Sequence, residues 1–452
     1  MTTIARSPET APGRLPIVGH ALRMKRRPGD FLLSLQASGD AVTVIQLGPK
    51  QMYVVNEPGL IRELLRDPET FARGGPITER FRMMFGNGLG ISEGEFHRRQ
   101  RSVIQPAFDH SRIVGYTALM SEVVATRVES WPDGQQIAVD KEMADLALTN
   151  VTKVIFAADT AIDIPEFVAA TTVVLSGLFR RMTDTIGLTR LPTPANLRYR
   201  AATEYLRRTI NQVISDYRQS GVDRGDLLST MLYARDDDGE PVMTDQQLHD
   251  EVMTFFIAGS NTISNTLSWA LHEIATNPEV EQRLHDEVDR VLAGRAAGYH
   301  DVARLEYTRR VITETLRKRT QGLFLSRVTT RDVHLGGYHI PAGSDVLYSF
   351  HALNHNPAIH AHPERFDPDR WLPERARAIP RGAFMPFSIG VHGCIGDQFA
   401  WVEMIVLLAT ITARWRLVSA PGHQPKPKLA ITMPVDSLPM IAHRREVGVA
   451  SS

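Results

Sequence analysis

The sequence predicts a mainly α-helical fold with a smaller β-rich region. Helical periodicity of apolar residues dominates residues 112–235, and the most regular helical pattern runs over residues 244–277. By contrast, β-branched residues are concentrated in two short runs, residues 42–47 and 51–55. The residues between them, Gly48-Pro49-Lys50, predict that the two runs form a hairpin and begin a small sheet.

Composition bounds the class of protein. The 452 residues carry 51 basic and 51 acidic side chains, so the net charge is +0. This balance argues against a nucleic-acid partner and against a protein that is basic overall and binds membrane surfaces, although local patches remain open. No stretch reaches the roughly 18 apolar residues of a membrane-spanning helix, so no transmembrane anchor is expected. We predict a protein of the reducing cytoplasm, with no internal disulfide because the chain has one cysteine.

The cysteine lies in the stretch on which the functional prediction depends. Cys394 follows two glycines, Gly390 and Gly393, and precedes a third, Gly396; together they leave room for a large flat group beside the sulfur. Helical periodicity begins after Gly396, so Cys394 is expected just before a helix N-terminus, where a thiolate is favoured. The alternative is that Cys394 is simply a small buried apolar residue.

The pattern Phe-x-x-Gly-x-His-x-Cys-x-Gly, from Phe387 to Gly396, closely resembles the haem-ligating loop of the cytochrome P450 family. The resemblance implies the cytochrome P450 fold, with Cys394 as the axial thiolate of haem b and Phe387 beside the cofactor. A thiolate ligand pushes electron density toward O–O cleavage.

The helix predicted from Thr244 begins with a capping box and contains an independent motif in its middle. Ala258, Gly259 and Thr262 match the Ala-Gly-x-acid-Thr oxygen-activation motif of the family, and the Thr262 hydroxyl is placed to bond the Ala258 carbonyl and open the helix locally. Asn261 replaces the usual acid, which calls a carboxylate relay into question. Apart from the resemblance, Gly259 has a second interpretation, a notch for helix packing.

Four basic residues are implied to hold the haem propionates. His97 and Arg101 are four residues apart and therefore share one face of a predicted helix. Arg327 and His392 occupy the third and fourth propionate positions of the family. A basic helix face is more commonly just solvated, and the neighbouring Arg98 and Arg99 point elsewhere, for example toward an acidic redox partner.

A second helix carries Glu314 and Arg317, an ion pair three residues apart of a kind that is usually superficial. The resemblance makes them, with Arg370, the structural triad that braces the haem pocket. Thr320 stands where the family usually has proline.

Apolar residues from several segments are expected to line a pocket for an apolar substrate. The glycine-rich segment of residues 73–94 is either a disordered connection or a lid, and residues 323–327 predict a strand. The candidate wall residues are Met83, Phe85, Phe179, Phe255, Leu323, Phe324 and Met433.

The resemblance also implies the domain organisation, the substrate class and the source of electrons. Residues 12–445 are predicted to form a single haem-thiolate monooxygenase domain between flexible termini, residues 1–11 and 446–452. The chain looks most like soluble actinobacterial enzymes of terpenoid or other secondary metabolism, which hydroxylate or otherwise oxidise an apolar small molecule with O₂. One cysteine cannot hold an iron–sulfur cluster and no flavin motif is present, so electrons are expected from a separate ferredoxin and ferredoxin reductase using NADPH or NADH.

Two other functions stay open. Because Asn261 replaces the usual acid, one alternative is a haem-thiolate enzyme that catalyses a non-oxygenating rearrangement or uses peroxide directly. A non-enzymatic haem sensor is a further alternative, although it would have no evident use for the Ala258 to Thr262 groove.

Overall fold

The computed structural model describes residues 7–75, 78–79, 81–82, 86–156, 162–183, 189, 191–428 and 432–446. Its α-helices are α1 (Ala21–Arg26), α2 (Pro28–Ala37), α3 (Pro58–Arg66), α4 (Gly94–Ile104), α5 (His110–Glu129), α6 (Val139–Ile155), α7 (Ile164–Thr183), α8 (Pro194–Ser220), α9 (Leu227–Leu232), α10 (Asp245–Ala275), α11 (Pro278–Leu292), α12 (Glu306–Lys318), α13 (Phe350–Asn354), α14 (Pro373–Ala376) and α15 (Asp397–Arg414). Its strands are β1 (Glu9–Thr10), β2 (Val42–Leu47), β3 (Lys50–Val55), β4 (Phe71–Ala72), β5 (Gln135–Ala138), β6 (Leu325–Thr329), β7 (Val333–Leu335), β8 (Tyr338–Ile340), β9 (Asp345–Tyr348), β10 (Trp415–Ser419) and β11 (Pro439–Arg444).

The described residues form two compact units. The first is made from residues 1–79 and 313–394, and the second from residues 80–312 and 395–452. The prediction of a single domain over residues 12–445 stays a prediction.

The first unit is built on a mixed sheet in the order β1-β2-β3-β9-β6-β4. The predicted hairpin is confirmed, because β2 pairs with β3 in antiparallel register from Val42 opposite Val55 to Leu47 opposite Lys50. Helix α3 covers the sheet with Ile61 and Leu64, which are fully buried in a core shared with the strands. A separate hairpin, β7 and β8, lies outside this sheet.

The second unit is mainly helical, and α10 runs through it. This helix begins at the predicted capping box, in which Thr244 and Gln247 exchange hydrogen bonds between side chain and backbone. It packs most extensively against α6, while α15 packs against α5 and α7 against α8. A small antiparallel sheet in the order β10-β11-β5 completes the unit.

Some local features of the fold differ from the predictions or were not predicted. Leu15 and Gly19 exchange backbone hydrogen bonds around a tight turn that was not predicted. The strand predicted over residues 323–327 begins only at Leu325, and strand β8 was not predicted. Strand β5 was not predicted at all. In each case tertiary pairing decided the conformation, since a strand needs a partner that local sequence does not reveal.

Part of the N-terminal segment that was expected to be flexible is paired. Glu9–Thr10 aligns parallel to Thr43 and Val44 of β2, and Ala11 is buried. Among the described residues, none of the helices combines the length and the hydropathy of a membrane-spanning segment.

A buried acid joins α15 to α6 in the second unit. The Asn150 side-chain amide donates to Glu403 Oε1 over 3.0 Å, and both side chains are almost fully buried. Burial raises the pKa of Glu403 to about 8, so that its neutral form is favoured. Asn150 Oδ1 is buried and receives no hydrogen bond from the described protein groups, and a neutral carboxyl offers the donor that it lacks.

This pairing makes a prediction about pH. Because the folded-state pKa of Glu403 lies above its ordinary value of 4.5, the stability that comes from the neutral acid is complete below pH 4.5 and is lost as the pH rises toward 8. Glu403→Gln is always neutral, so the free energy of unfolding of the wild type should fall relative to this variant by roughly 3–5 kcal/mol across that window. Urea unfolding at several pH values measures the difference. The control Glu204→Gln, at an exposed acid of α8, should show no such trend; a flat difference for Glu403→Gln would contradict the neutral acid.

Candidate active site

The loop before α15 exposes the thiol of Cys394. The Cys394 amide donates to the Phe387 carbonyl over 2.9 Å, and the Gly393 amide donates to the Gly390 carbonyl over 2.9 Å, so the chain folds back on itself twice. Cys394 is exposed, although cysteine is among the most buried residue types. The interpretation of Cys394 as a small buried apolar residue is therefore wrong, and the expected position just before a helix is confirmed, because Gly396 is the N-cap of α15.

The shape of this loop depends on two unusual backbone positions. Ser388 has a φ of 57°, a left-handed conformation that costs energy for a residue with a side chain. Gly390 has a φ of 78°, and a Cβ at this position would lie 2.4 Å from the Leu65 carbonyl oxygen at the end of α3. Only glycine fits there, so the loop packs closely against the end of α3.

The predicted triad residues are in contact in the first unit. Glu314 and Arg317 form a bidentate pair, with Oε1 to a terminal guanidinium nitrogen at 2.7 Å and Oε2 to Nε at 2.9 Å, and neither side chain is exposed. Arg370 Nε reaches Glu314 Oε1 at 3.3 Å. The pair is therefore buried rather than superficial.

Sequence reasoning missed the groups that complete this network. The Trp371 indole donates to Glu314 Oε2 over 2.9 Å, and the Asp367 amide donates to Oε1 over 3.1 Å. Thr320, in place of the usual proline, donates its hydroxyl to the Arg317 carbonyl and accepts from the Asn354 side chain, each over 3.0 Å. The hydroxyl thus gives this position two hydrogen bonds that proline could not make.

The second unit presents the middle of α10 as an accessible window. The residues from Glu251 to Ile257 are buried, and so is every residue from Ile263 to Leu271, yet Ala258 is exposed and Asn261 and Thr262 are half-buried. A surface of small side chains inside an otherwise buried helix can accept a flat group. This is the fit that a haem requires.

The expected hydroxyl bond in α10 is present, but the helix is not interrupted. Thr262 Oγ1 donates to the Ala258 carbonyl over 2.8 Å, and α10 continues through this point. The interpretation of Gly259 as a packing notch is supported, because a Cβ there would lie 2.8 Å from Val151 on α6. The motif therefore joins a packing glycine to an accessible threonine.

The four predicted propionate residues divide between the units. In the second unit, His97 is buried on α4 and Arg101 is half-buried one turn later. In the first, Arg327 is buried on β6 and His392 is half-buried in the cysteine loop. The adjacent arginines are exposed and have internal partners: Arg98 pairs with Glu95, and Arg99 lies 3.7 Å from Asp236.

Arg327 tests whether the site fits a carboxylate-bearing cofactor. Arg327 is 6% exposed, and its guanidinium donates to the Ser326 carbonyl over 2.9 Å. Among the described residues, no carboxylate lies within ion-pair distance of it. A buried cation is costly without a counter-charge, and a planar guanidinium suits a carboxylate, so the donor chemistry fits a haem propionate.

The candidate substrate residues are only partly described. Met83 and Phe85 lie outside the described residues, as does the side chain of Phe179, whose backbone belongs to α7. Leu323 is buried and Phe324 is half-buried before β6, while Met433 is half-buried and its carbonyl accepts from the Trp269 indole over 3.0 Å. Phe255 packs with Phe108, their ring centroids 5.6 Å apart.

Two acids on α10 that sequence reasoning missed hold the end of the segment predicted as a lid. Asp250 accepts from the Asn87 amide over 2.9 Å and Glu251 from the Leu89 amide over 3.0 Å. Burial raises the pKa of Glu251 to about 7. Adjacent acids at buried positions of an apolar helix were the signal that could have found them.

Comparisons with known proteins identify the family of this chain. The family model of cytochrome P450 matches residues 8–439, so the chain belongs to the cytochrome P450 family. The family is haem-thiolate, and because Cys394 is the only cysteine of the chain it is the ligand of the haem b iron. The protein is accordingly a cytochrome P450 monooxygenase, a haem oxidoreductase that uses O₂ and redox partners.

Two named relatives and a solved structure match nearly the whole chain. Cyclooctat-9-en-7-ol 5-monooxygenase of Streptomyces melanosporofaciens is 42% identical over 91% of this chain and 90% of its own. Pentalenene oxygenase of Streptomyces avermitilis is 39% identical over 94% of each chain. The crystal structure of the cytochrome P450DA haem domain matches with a TM-score of 0.88 at 27% identity, covering 98% of this chain and 99% of that one. The predicted fold is confirmed.

The triad gives a stability prediction. Glu314→Gln removes the anion that pairs with two buried guanidinium groups, and breaking a buried pair costs about 3–5 kcal/mol. Glu204→Gln breaks an exposed pair with Arg208 and should cost about 0–1 kcal/mol. The free energy of unfolding in urea separates the two variants, and equal stabilities would show that the Glu314 network is not a structural element.

Proposed function

We propose that this protein hydroxylates, or otherwise oxidises, an apolar small molecule, a terpenoid or another secondary-metabolite intermediate. The observation that carries the proposal is the accessible window of Ala258, Asn261 and Thr262 inside an otherwise buried helix. Relatives named as acting on pentalenene and cyclooctat-9-en-7-ol support this substrate class, since the first name denotes an unsaturated hydrocarbon and the second an unsaturated alcohol.

The chain's own residues bind the cofactor in this proposal. Cys394 supplies the thiolate, with Phe387 beside it. Four basic side chains neutralise the two haem propionates, which are costly to bury without paired hydrogen-bond donors. Those four groups are His97, Arg101, Arg327 and His392. When bound, the haem supplies the oxygen-activating redox chemistry. The triad of Glu314, Arg317 and Arg370 braces this region.

Thr262 is proposed to orient a proton donor at the site. Its hydroxyl hydrogen is directed to the Ala258 carbonyl, so its oxygen offers lone pairs that can accept a hydrogen bond from water. Asn261 has no proton to release at neutral pH, and it can only orient neighbours through its amide. Proton delivery in this protein therefore runs through Thr262 and water.

The substrate is proposed to contact apolar side chains from several segments. Leu323 and Phe324 before β6, Phe255 on α10 and Met433 are joined in this proposal by Met83, Phe85 and Phe179. Position of the substrate then decides which C–H bond is oxidised. We further propose ferredoxin and ferredoxin reductase as the electron donors and the cytoplasm as the location of the protein.

The proposed activity is tested by incubating the holoprotein with pentalenene, fatty acids and macrolide precursors after a binding-spectrum screen. Product formation should require both O₂ and a ferredoxin system, and the product should gain one oxygen atom from ¹⁸O₂. A product isomeric with its substrate, formed without O₂, would instead identify a rearrangement. Turnover that needs only hydrogen peroxide would identify a peroxide-driven enzyme.

Haem retention tests the four basic residues. Arg327→Ala and Arg101→Ala should lose haem to apomyoglobin roughly 10- to 100-fold faster than wild type, because a hydrogen bond to a charged group is worth about 1.5–3 kcal/mol. Arg98→Ala, which removes an exposed arginine from the same helix as Arg101, is the matched control and should retain haem normally. Equal retention in all three variants would refute the propionate assignment.

Coupling tests the role of Thr262. Thr262→Ala should consume electrons and release hydrogen peroxide while product falls, because the proton-transfer step should slow by about 100-fold or more. Asn261→Asp should be tolerated or faster, since it restores a carboxylate. If Thr262→Ala leaves the ratio of product to electrons unchanged while Asn261→Asp abolishes product, the proton route is wrong.

A further inference from the structure

An unusual group of apolar side chains stands in solvent near the start of the described chain. Within one short segment of the first unit, Ile17 is 94% exposed and three other large aliphatic residues are at least 40% exposed. Single exposed apolar residues are common, but contiguous ones mark interaction surfaces. We call this segment the apolar tip; its exposed members are Leu15, Ile17, Val18 and Leu22.

The apolar tip is held rigidly. Leu15 and Gly19 exchange two backbone hydrogen bonds, and the Gly48 amide donates to the Val18 carbonyl over 3.2 Å. Below them, His20 is fully buried: its Nδ1 accepts from the Gln46 amide, and its Nε2 lies 3.0 Å from the Ala11 carbonyl. The turn is thus fastened to β2 and presents its side chains outward.

Packing does not explain the conformation of the tip. Ile17 has a φ of 62°, which is strained for a β-branched residue, and its side chain contributes nothing to the core. Helix α1, which follows directly, has no buried residue. Strain and exposed apolar surface that the fold does not use point to a function at the surface.

Positive charge surrounds the tip. Arg14, Lys25, Arg26 and Arg27 are exposed, and the sequence has no acidic residue between Glu9 and Asp30. Within the described parts of the chain, none of these four cations has a carboxylate within ion-pair distance. The net charge of the whole protein is +0, so this is a local patch on a neutral molecule.

We propose that the apolar tip and its four cations bind the surface of an anionic lipid bilayer. Aliphatic side chains on a protruding turn can enter the boundary between headgroups and acyl chains, and flanking cations meet anionic headgroups. A protein partner would need a pocket shaped for Ile17, whereas a fluid bilayer needs none. The protein is then a monooxygenase with a peripheral, reversible membrane contact, which goes beyond the proposed function and does not depend on it.

The test is co-sedimentation of the full-length holoprotein with vesicles of phosphatidylcholine alone or mixed equally with phosphatidylglycerol. Wild type should bind the anionic vesicles, more weakly at high salt, and bind the neutral vesicles poorly. Ile17→Gly should weaken binding on the order of tenfold by removing the inserted side chain. Glycine also relieves the positive φ, so this variant should fold at least as stably as wild type.

A charge variant and matched controls complete the experiment. Arg26→Gln combined with Arg27→Gln should weaken binding roughly 25-fold, since each basic residue near an anionic surface contributes about fivefold. Val222→Gly removes another exposed aliphatic residue, and Arg207→Gln with Arg208→Gln removes two exposed arginines of α8; both should bind as wild type.

Three results would overturn the proposal. One is wild-type protein that does not sediment with anionic vesicles at low salt, and another is Ile17→Gly protein that binds them as wild type does. The third is evidence that the tip contacts a protein instead. In that case the wild type would not bind vesicles, and Ile17→Gly would slow reduction by a ferredoxin or abolish a concentration-dependent dimer seen by light scattering.

Discussion

A charged side chain that is buried away from water needs a counter-charge or hydrogen-bond partners. This constraint distinguishes two buried arginines of the first unit, Arg317 and Arg327. Arg317 is fully buried and is satisfied by Glu314 together with the Asn354 and Arg365 carbonyls. Arg327 is nearly as buried, yet among the described residues it meets no carboxylate. The first arginine completes a closed network of described residues, and the second is the one that we propose binds a haem propionate.

The same constraint shapes α10 in the second unit. Its hydroxyl side chains bond back to carbonyls along the helix, as Ser260 does to Phe256 over 2.6 Å and Thr266 does to Thr262 over 2.7 Å. Such bonds let polar residues lie in a buried helix without external partners. Thr262 makes the same kind of bond but lies at the accessible window, which is why we propose that its hydroxyl takes part in proton delivery.

Much of the fold and site could be predicted because the signals are local. The capping box at Thr244, the hairpin of β2 and β3 and the loop geometry around Cys394 follow from short spacings and from residues with strong conformational preferences. The turn at Ile17, strand β5 and the bonds that Asp250 and Glu251 make to the segment of residues 87–89 could not be predicted, because each depends on a partner distant in sequence. Gly259 shows a further limit: its motif indicated chemistry, whereas its missing Cβ serves packing against Val151.

The central claim is that Cys394 presents a thiolate to haem iron. The most direct measurement is the absorption spectrum of the reduced protein with carbon monoxide, recorded for wild type and for Cys394→Ala. The thiolate assignment predicts a strongly red-shifted Soret band in wild type and its loss in the variant. A wild-type band at the position typical of imidazole ligation, unchanged by Cys394→Ala, would contradict the account and place the iron on a histidine.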